Sequence, residues 1–330
     1  MFRKSISILP LVGLLLFSSC DIRDSYDHCG VYLEFIFDHN MDYSDTFTSE
    51  IDAVDVFVFD SEGLYLFTRH AQCAAELTDG KRMWLTGMKF GTYKILVVGG
   101  LCDEFSLSPD DGPWFTPGVH DIGQVRLALR RSAPETDREF PHLWFGEQVV
   151  EVNYNADRSV WPVRLVRNTN KFKIELARKD GSSGSRSAVS FTFGIVAPEG
   201  GVYDYNNNPL LRETITYRPY ELNTGVSGEL LSVGRLNTMR LFADDPQGYR
   251  LIVEKTSTNE TGKEFDLLEL LRQRKPATRP DGSPLPMQEY LDREWNWDLK
   301  ILYDLDDDGA FLALAIVVNG WIIWQNEIEV

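Results

Sequence analysis

Val31-Tyr-Leu-Glu-Phe-Ile-Phe37 sets apolar Val31, Leu33, Phe35 and Phe37 on alternate positions, with Tyr32, Glu34 and Ile36 between them. Successive side chains of an extended chain point to opposite faces, so this period of two predicts a β-strand with one strongly apolar face. Outward from it the same pattern repeats. Val54-Asp-Val-Phe-Val-Phe-Asp60 predicts a buried strand, Ser61-Glu-Gly63 a turn, and Leu64 to Thr68 the return. Tyr93 to Val98 is a continuous apolar run closed by Gly99-Gly100, and Val125 to Leu129 is a further short strand. Short strands divided by Gly, Pro and Asp clusters predict a mainly β protein, a sandwich or a barrel.

A boundary falls near residues 154–162, where Tyr154 to Arg158 is polar and Trp161-Pro162 punctuates the chain. Alternation resumes with Val163 to Arg167 and Phe172 to Leu176, then continues through Phe191–Val196, Thr238–Phe242 and Tyr249–Glu254. One helix is expected over Lys263–Arg274, with Phe265, Leu267, Leu268, Leu270 and Leu271 on its apolar side and Pro276 as its stop. A Pro-rich loop follows to Pro286. The strands Trp297–Tyr303, Phe311–Val318 and Trp321–Val330 close the chain, and Asn319-Gly320 predicts a type I′ hairpin because both residues tolerate positive φ. The expectation is two tandem β-sandwich domains, residues 30–160 and 161–330, with one or two short helices.

The beginning of the chain carries a different signal. Arg3 and Lys4 precede an apolar run from Ile6 to Phe17, and small Ser18 and Ser19 lead into Cys20. This is the order of a secretory signal peptide, residues 1–19, cut between Ser19 and Cys20. A cysteine at the first mature position predicts a bacterial lipoprotein, with a diacylglycerol and palmitate on Cys20 and a polar tether over residues 20–29. Phe17 stands where such signals usually carry Leu. The apolar run is shorter than the roughly 20 residues that a membrane-spanning helix needs. Acyl chains on one residue can hold a protein to a bilayer, because each buried methylene contributes about 0.8 kcal/mol.

The 330 residues carry a net charge of −17, and loss of Arg3 and Lys4 with the leader makes the mature chain more acidic still. Such a surface repels phosphate backbones, so no nucleic-acid partner is expected. Of the four cysteines, Cys20 is assigned to lipid, and in an exported protein Cys73 and Cys102 are the expected disulfide, leaving Cys29 over.

Candidate chemistry is thin. Asp304, Asp306 and Asp308 followed by Gly309 match the front half of a calcium loop, but the twelfth position, which should supply a bidentate Glu, is Ala315. An acidic hairpin turn between the flanking strands is therefore the expected reading of the run, and no metal is expected there. His28, Cys29, His70 and Cys73 lack the tight pairs of a structural zinc site. With five histidines and no Gly-x-Ser-x-Gly elbow, phosphate loop, dinucleotide fingerprint or His-Glu-x-x-His, the chain is expected not to be an enzyme and to need no cofactor beyond the covalent lipid. Trp295, Trp297, Trp321 and Trp324 concentrate aromatic surface near the end of the chain. They suit either a sheet core or a sugar-stacking platform.

The run from Cys29 through Val31-Tyr-Leu-Glu-Phe-Ile-Phe37 to Asp60, the segment Arg167-Asn-Thr-Asn-Lys-Phe-Lys-Ile174 and the closing Val318-Asn-Gly-Trp321 resemble the fimbrial anchor subunits of Bacteroidota, the FimB type and its minor-fimbrium counterpart. The similarity covers essentially the whole mature chain, and the cysteine of the leader fits it. The resemblance implies transthyretin-like β-sandwiches in tandem and a lipoprotein of the cell outer membrane at the base of a fimbrium. It also implies stalk subunits as partners, held at the cell surface and limited in length. An anchor of this kind keeps its first strand, here Val31, Leu33, Phe35 and Phe37, and Gly30 to Glu62 offers no Lys or Arg to a basic-residue protease. Trp321, Ile322, Ile323, Trp324, Ile328 and Val330 are the candidate docking strand, apolar on both faces at its start, for β-augmentation with the first stalk subunit. The alternative is that this strand only completes the second sandwich. The rival function is a surface glycan-binding lipoprotein with the same anchor and fold.

Overall fold

The alternation of Val31, Leu33 and Phe35 is realised in β1 (Gly30–Ile36): these three side chains are fully buried, as is that of Phe37 just beyond the strand. The computed structural model describes residues 30–153, 159–178, 191–210, 213–224, 230–245, 247–256, 261–305 and 311–325. After β1 come α1 (Phe47–Glu50), β2 (Ala53–Phe59), β3 (Tyr65–Gln72), α2 (Cys73–Glu76), β4 (Arg82–Thr86) and β5 (Gly91–Gly99). Next are β6 (Phe105–Pro109), β7 (Val125–Leu129), β8 (Glu135–Thr136), β9 (Trp144–Val152), β10 (Val160–Arg164) and β11 (Val166–Arg167). Two sheets, ordered β10-β1-β4 and β11-β9-β5-β2-β3, form the first sandwich. Its core interleaves Val31, Leu33 and Phe35 with Val54, Val56, Val58, Ile95, Val97 and Val150.

The second half contains β12 (Thr169–Arg178), β13 (Phe191–Ala197), β14 (Val202–Tyr203), β15 (Ile215–Tyr217), β16 (Glu221–Thr224), β17 (Leu230–Met239), β18 (Arg250–Lys255) and β19 (Thr261–Asp266). It continues with α3 (Leu267–Arg274), α4 (Met287–Arg293), β20 (Asn296–Leu305), β21 (Phe311–Val318) and β22 (Trp321–Gln325). Here a six-stranded sheet, β16-β17-β12-β20-β21-β22, packs with a five-stranded one, β19-β18-β13-β15-β8. A small sheet, β14-β7-β6, bridges the halves, and β8 from the first half adds to a sheet of the second. The second core is therefore continuous with the outer face of the first sandwich, through Phe57, Phe59, Leu96, Val98 and Phe145.

Four expectations are corrected by this arrangement. The boundary at 160/161 moves, because β10 pairs with β1 and β11 with β9, so the chain commits to the second body only at Thr169. The helix expected over Lys263–Arg274 starts at Leu267. Lys263 to Asp266 instead extend β19, where pairing with β18 satisfies backbone groups that an edge would leave bare. The Cys73–Cys102 disulfide is not formed: both are free thiols, Cys73 in the first core and Cys102 against the second. Among the described residues, four short α-helices exceed the one or two expected. The added α4 follows Pro286 and buries Tyr290 and Leu291.

Candidate docking edge and interdomain joint

Asn319 and Gly320 take φ of 45° and 81°, the left-handed turn that their residue types permit. The turn is tied to β20: Asn319 N–H donates to Asp298 O (2.8 Å), and Asp298 N–H donates to Asn319 Oδ1 (2.7 Å). This sets β22 against β21, and among the described residues it is the outermost strand of the six-stranded sheet. A register shift at Ile316/Val317 sets Val317 opposite Ile322 and Ile316 opposite Trp324.

Trp321 and Ile322 are 64% and 65% exposed, whereas Ile323 packs against the core. The helix α3 lies beside this strand. It is capped by Asp266, which accepts from Glu269 N–H (3.0 Å), and its Leu267, Leu268, Leu270 and Leu271 are buried. Arg274, in its last turn, sits over the Trp321 ring at 5.2 Å. That cation–π contact holds an exposed indole in place without covering it. Among the described residues, no strand pairs with the outer edge of β22, which lies beside two exposed apolar side chains, the combination that pairs with an added strand.

A second arrangement joins the two bodies. Arg167, 3% exposed, pairs with Glu50, and its guanidinium carbon lies 4.3 Å from the Trp295 ring centroid, 5.0 Å from that of Phe37 and 5.5 Å from that of Trp144. Burial pushes Arg167 down to about 10. His142, wedged edge-on against Trp144 and Trp295, is pushed down to about 3 by burial, then by Arg167 and Lys171. Its Nδ1 lies 3.1 Å from Thr169 Oγ1. Nearby, Arg293 Nη1 donates to Asp38 O (2.9 Å) and Asn40 O (3.1 Å) and stacks on Tyr43 at 4.2 Å. These groups come from the end of β1 and the loop after it, from α1, from the approach to β9, from the 165–171 crossing, and from α4 and the approach to β20. The joint is therefore assembled by tertiary contact, and no local sequence signal points to Arg167 or Arg293.

A cleft of about 410 Å³ lies between the first sandwich and the loop after β14, lined by Lys94, Glu147, Gln148, Val149, Tyr205 and Asn206. Lys94 sits 5.8 Å from the Tyr205 ring centroid, and burial raises the Glu147 carboxyl.

Of the residues singled out from sequence, Val31, Leu33, Phe35 and Phe37 are core, and Trp321 and Ile322 are surface. Asp304 lies on β20 opposite Leu312, and Ala315 on β21 opposite Leu302. Asp306, Asp308, Ile328, Val330, Ser19, Cys20, the leader and the tether lie outside the described residues. His70 contacts Asp55 on the neighbouring strand (3.0 Å). Among the described residues, no three His, Cys, Asp or Glu side chains gather where a metal could be held. No helix among them is long and apolar enough to cross a membrane.

Comparison with known proteins gives this geometry a context. The family model described as fimbrillin-A associated anchor proteins Mfa1 and Mfa2 matches residues 24–327. The minor fimbrium anchoring subunit Mfa2 of Porphyromonas gingivalis is 23% identical, over 99% of this chain and 97% of its own length. A crystal structure of a candidate adhesin from Bacteroides ovatus superposes with a TM-score of 0.83 at 39% identity, covering 91% of this chain and 97% of that one. That of a candidate polysaccharide-binding protein from Bacteroides thetaiotaomicron gives 0.75 at 25% identity, over 91% and 99%.

Proposed function

The chain belongs to the family of fimbrillin-A associated anchor proteins Mfa1 and Mfa2, and from that premise we propose that it is an outer-membrane lipoprotein that holds a fimbrium to the cell surface and limits its length. Lipid on Cys20 retains it at the membrane, and β22 receives the first stalk subunit by backbone pairing. The observation that carries this reading is the bare edge of β22, with Trp321 and Ile322 in water on a strand whose turn is pinned to the sheet. An anchored partner is the occupant that such an edge suits: backbone bonds give affinity, and the two apolar side chains give register.

The test is Cys20→Ala in the native host. Fimbriae released into the medium, longer than normal, with stalk subunits still produced, are the expected result. Retained fimbriae, with only this protein lost from the membrane, would sink the anchor reading. Deleting Gln325 to Val330 addresses the edge itself. A folded, membrane-held protein that no longer retains fimbriae supports docking, and loss of folding means that the strand serves the second sandwich only.

A second reading, glycan binding, is favoured by the cleft beside Tyr205, where a ring, a carboxylate and two amides converge. It also draws on the polysaccharide-binding relative. Titration of a polysaccharide panel against the wild type and Tyr205→Ala tests it; no saturable signal removes it.

A further inference from the structure

β1, the first strand of the first sandwich, and β10, close to that body's last residue, are parallel neighbours. Their register runs Tyr32↔Val160, Leu33↔Trp161, Glu34↔Pro162, Phe35↔Val163 and Ile36↔Arg164. Tyr32 N–H donates to Ser159 O (3.3 Å) at one end and Leu165 N–H to Ile36 O (2.9 Å) at the other. By the alternation of a parallel ladder, the Trp161 and Val163 N–H groups face β1, and Pro162, which has none to give, faces outward. The other side of β1 is taken by β4, with Phe35 N–H donating to Lys81 O (3.0 Å).

Both strands leave the first sandwich at the same end. Past Ile36 the chain reaches the joint, where Arg293 holds Asp38 and Asn40 and Arg167 lies over Phe37. Past Arg164, which pairs with Asp38, only a short crossing separates β10 from Thr169 of β12. There β12 lies inside the six-stranded sheet, between β17 and β20. A pull at Gly30 against a pull on the second sandwich therefore acts along the shared axis of β1 and β10 in opposite directions. All five register pairs resist together, in shear. In a peeling geometry the same bonds would open one after another.

We propose that the parallel β1–β10 pair is a mechanical clamp, carrying filament tension from the tethered N-terminus into the second sandwich. The proposal rests on the anchor reading for the origin of the load. Its geometry stands on the strand pairing alone. Gly30, where load enters, is also fitted closely: a Cβ there would lie 2.3 Å from Leu85 O, so the chain is held against β4 from the first residue of the strand.

The experiment is optical-tweezers pulling of the mature chain in two geometries. One handle is fixed at the N-terminus. The second is placed either on exposed Gln273 of α3, which loads β1 and β10 in shear, or on exposed Lys89. Lys89 follows β4, whose Thr86 pairs with Gly30, so that geometry peels β1 from β4 at their common end. The rupture force of the first sandwich is expected to be several-fold higher in shear, since forced unfolding reads the barrier along the pulled coordinate. The second sandwich yielding first, at a force above the peeling value, counts the same way. Equal forces in the two geometries would overturn the clamp. Trp161→Pro, which removes an N–H facing β1, should lower the shear force while Trp161→Ala leaves more of it, and neither should move the peeling force. An unchanged shear force in Trp161→Pro counts against the clamp. These measurements contain no fimbriae, so a weak clamp leaves the anchor reading intact. Conversely, fimbriae retained in Cys20→Ala remove the anchor without touching the measured forces.

Discussion

β1 and β22 are both short, apolar strands, and the fold treats them in opposite ways. β1 has a partner on each side and buries Val31, Leu33 and Phe35 in the core; among the described residues β22 has one partner, and two of its apolar side chains are in water. Composition does not separate them, since Trp321-Ile-Ile-Trp324 is at least as apolar as Val31 to Phe37. Position in the sheet does. A strand between two others contributes to stability, and a strand at an edge retains unspent pairing capacity that another chain can use. The molecule thus has a closed strand at the start of the first sandwich and an open one where a partner is proposed to dock.

Substitutions sharpen that contrast. Phe35→Ala should cost about 3–5 kcal/mol, from lost burial plus the cavity left among close-packed neighbours. Urea unfolding with an unchanged slope would measure it. A cost near that of a surface substitution would mean that β1 is not the closed strand described. Arg167→Ala should cost about 3 kcal/mol, because Glu50 loses its partner and three rings lose their cation. Arg167→Lys should recover only part, since a compact ammonium cannot lie flat across those rings.

The joint also predicts a pH dependence. His142 is held near 3 when folded against an ordinary 6.5, so the unfolded chain takes up a proton that the folded one refuses. Stability from this group is full above pH 6.5 and is lost as pH falls toward 3, by at most about 2 kcal/mol between pH 7 and pH 5. His39, lowered by burial and Arg293, acts in the same direction. His142→Gln should flatten the pH 7 to 5 slope in denaturant midpoints; an unaltered slope would place the dependence elsewhere. Gly320→Ala should cost about 1 kcal/mol, because φ of 81° strains an L-residue.

The smallest stability effect belongs to the open strand. Trp321→Ala should change unfolding by no more than about 0.5 kcal/mol. Capture of stalk subunit should nevertheless fall at least tenfold, as for an exposed aromatic anchor whose loss costs about 2 kcal/mol of binding. A folded Trp321→Ala protein that captures subunits normally would close the edge as a docking site.

Much of the fold was legible because alternation and turn chemistry are local. The period of two at Val31–Phe37, the turn at Gly63 and the hairpin at Asn319-Gly320 follow from backbone geometry within a few residues. The helix α4 went unread in the sequence, although Met287, Tyr290 and Leu291 at i, i+3 and i+4 behind Pro286 carry its signal. Lys263 to Asp266 were not legible, because their apolar spacing suits helix and strand alike and pairing with β18 decides between them.

The sequence by itself determined a mainly β chain of short strands and a positive-φ hairpin near its end. These are properties of neighbours in the chain, set by side-chain alternation and allowed φ. Only the tertiary structure decided that β10 closes the first sandwich beside β1, that Arg167 and Arg293 meet the end of β1, that Cys73 and Cys102 stand apart, and which apolar strand stays open. Each of those depends on which distant backbone supplies the next hydrogen-bonding partner, and many strands in this chain are locally acceptable to one another. What selects among them is the joint burial of both sandwiches around cores that meet.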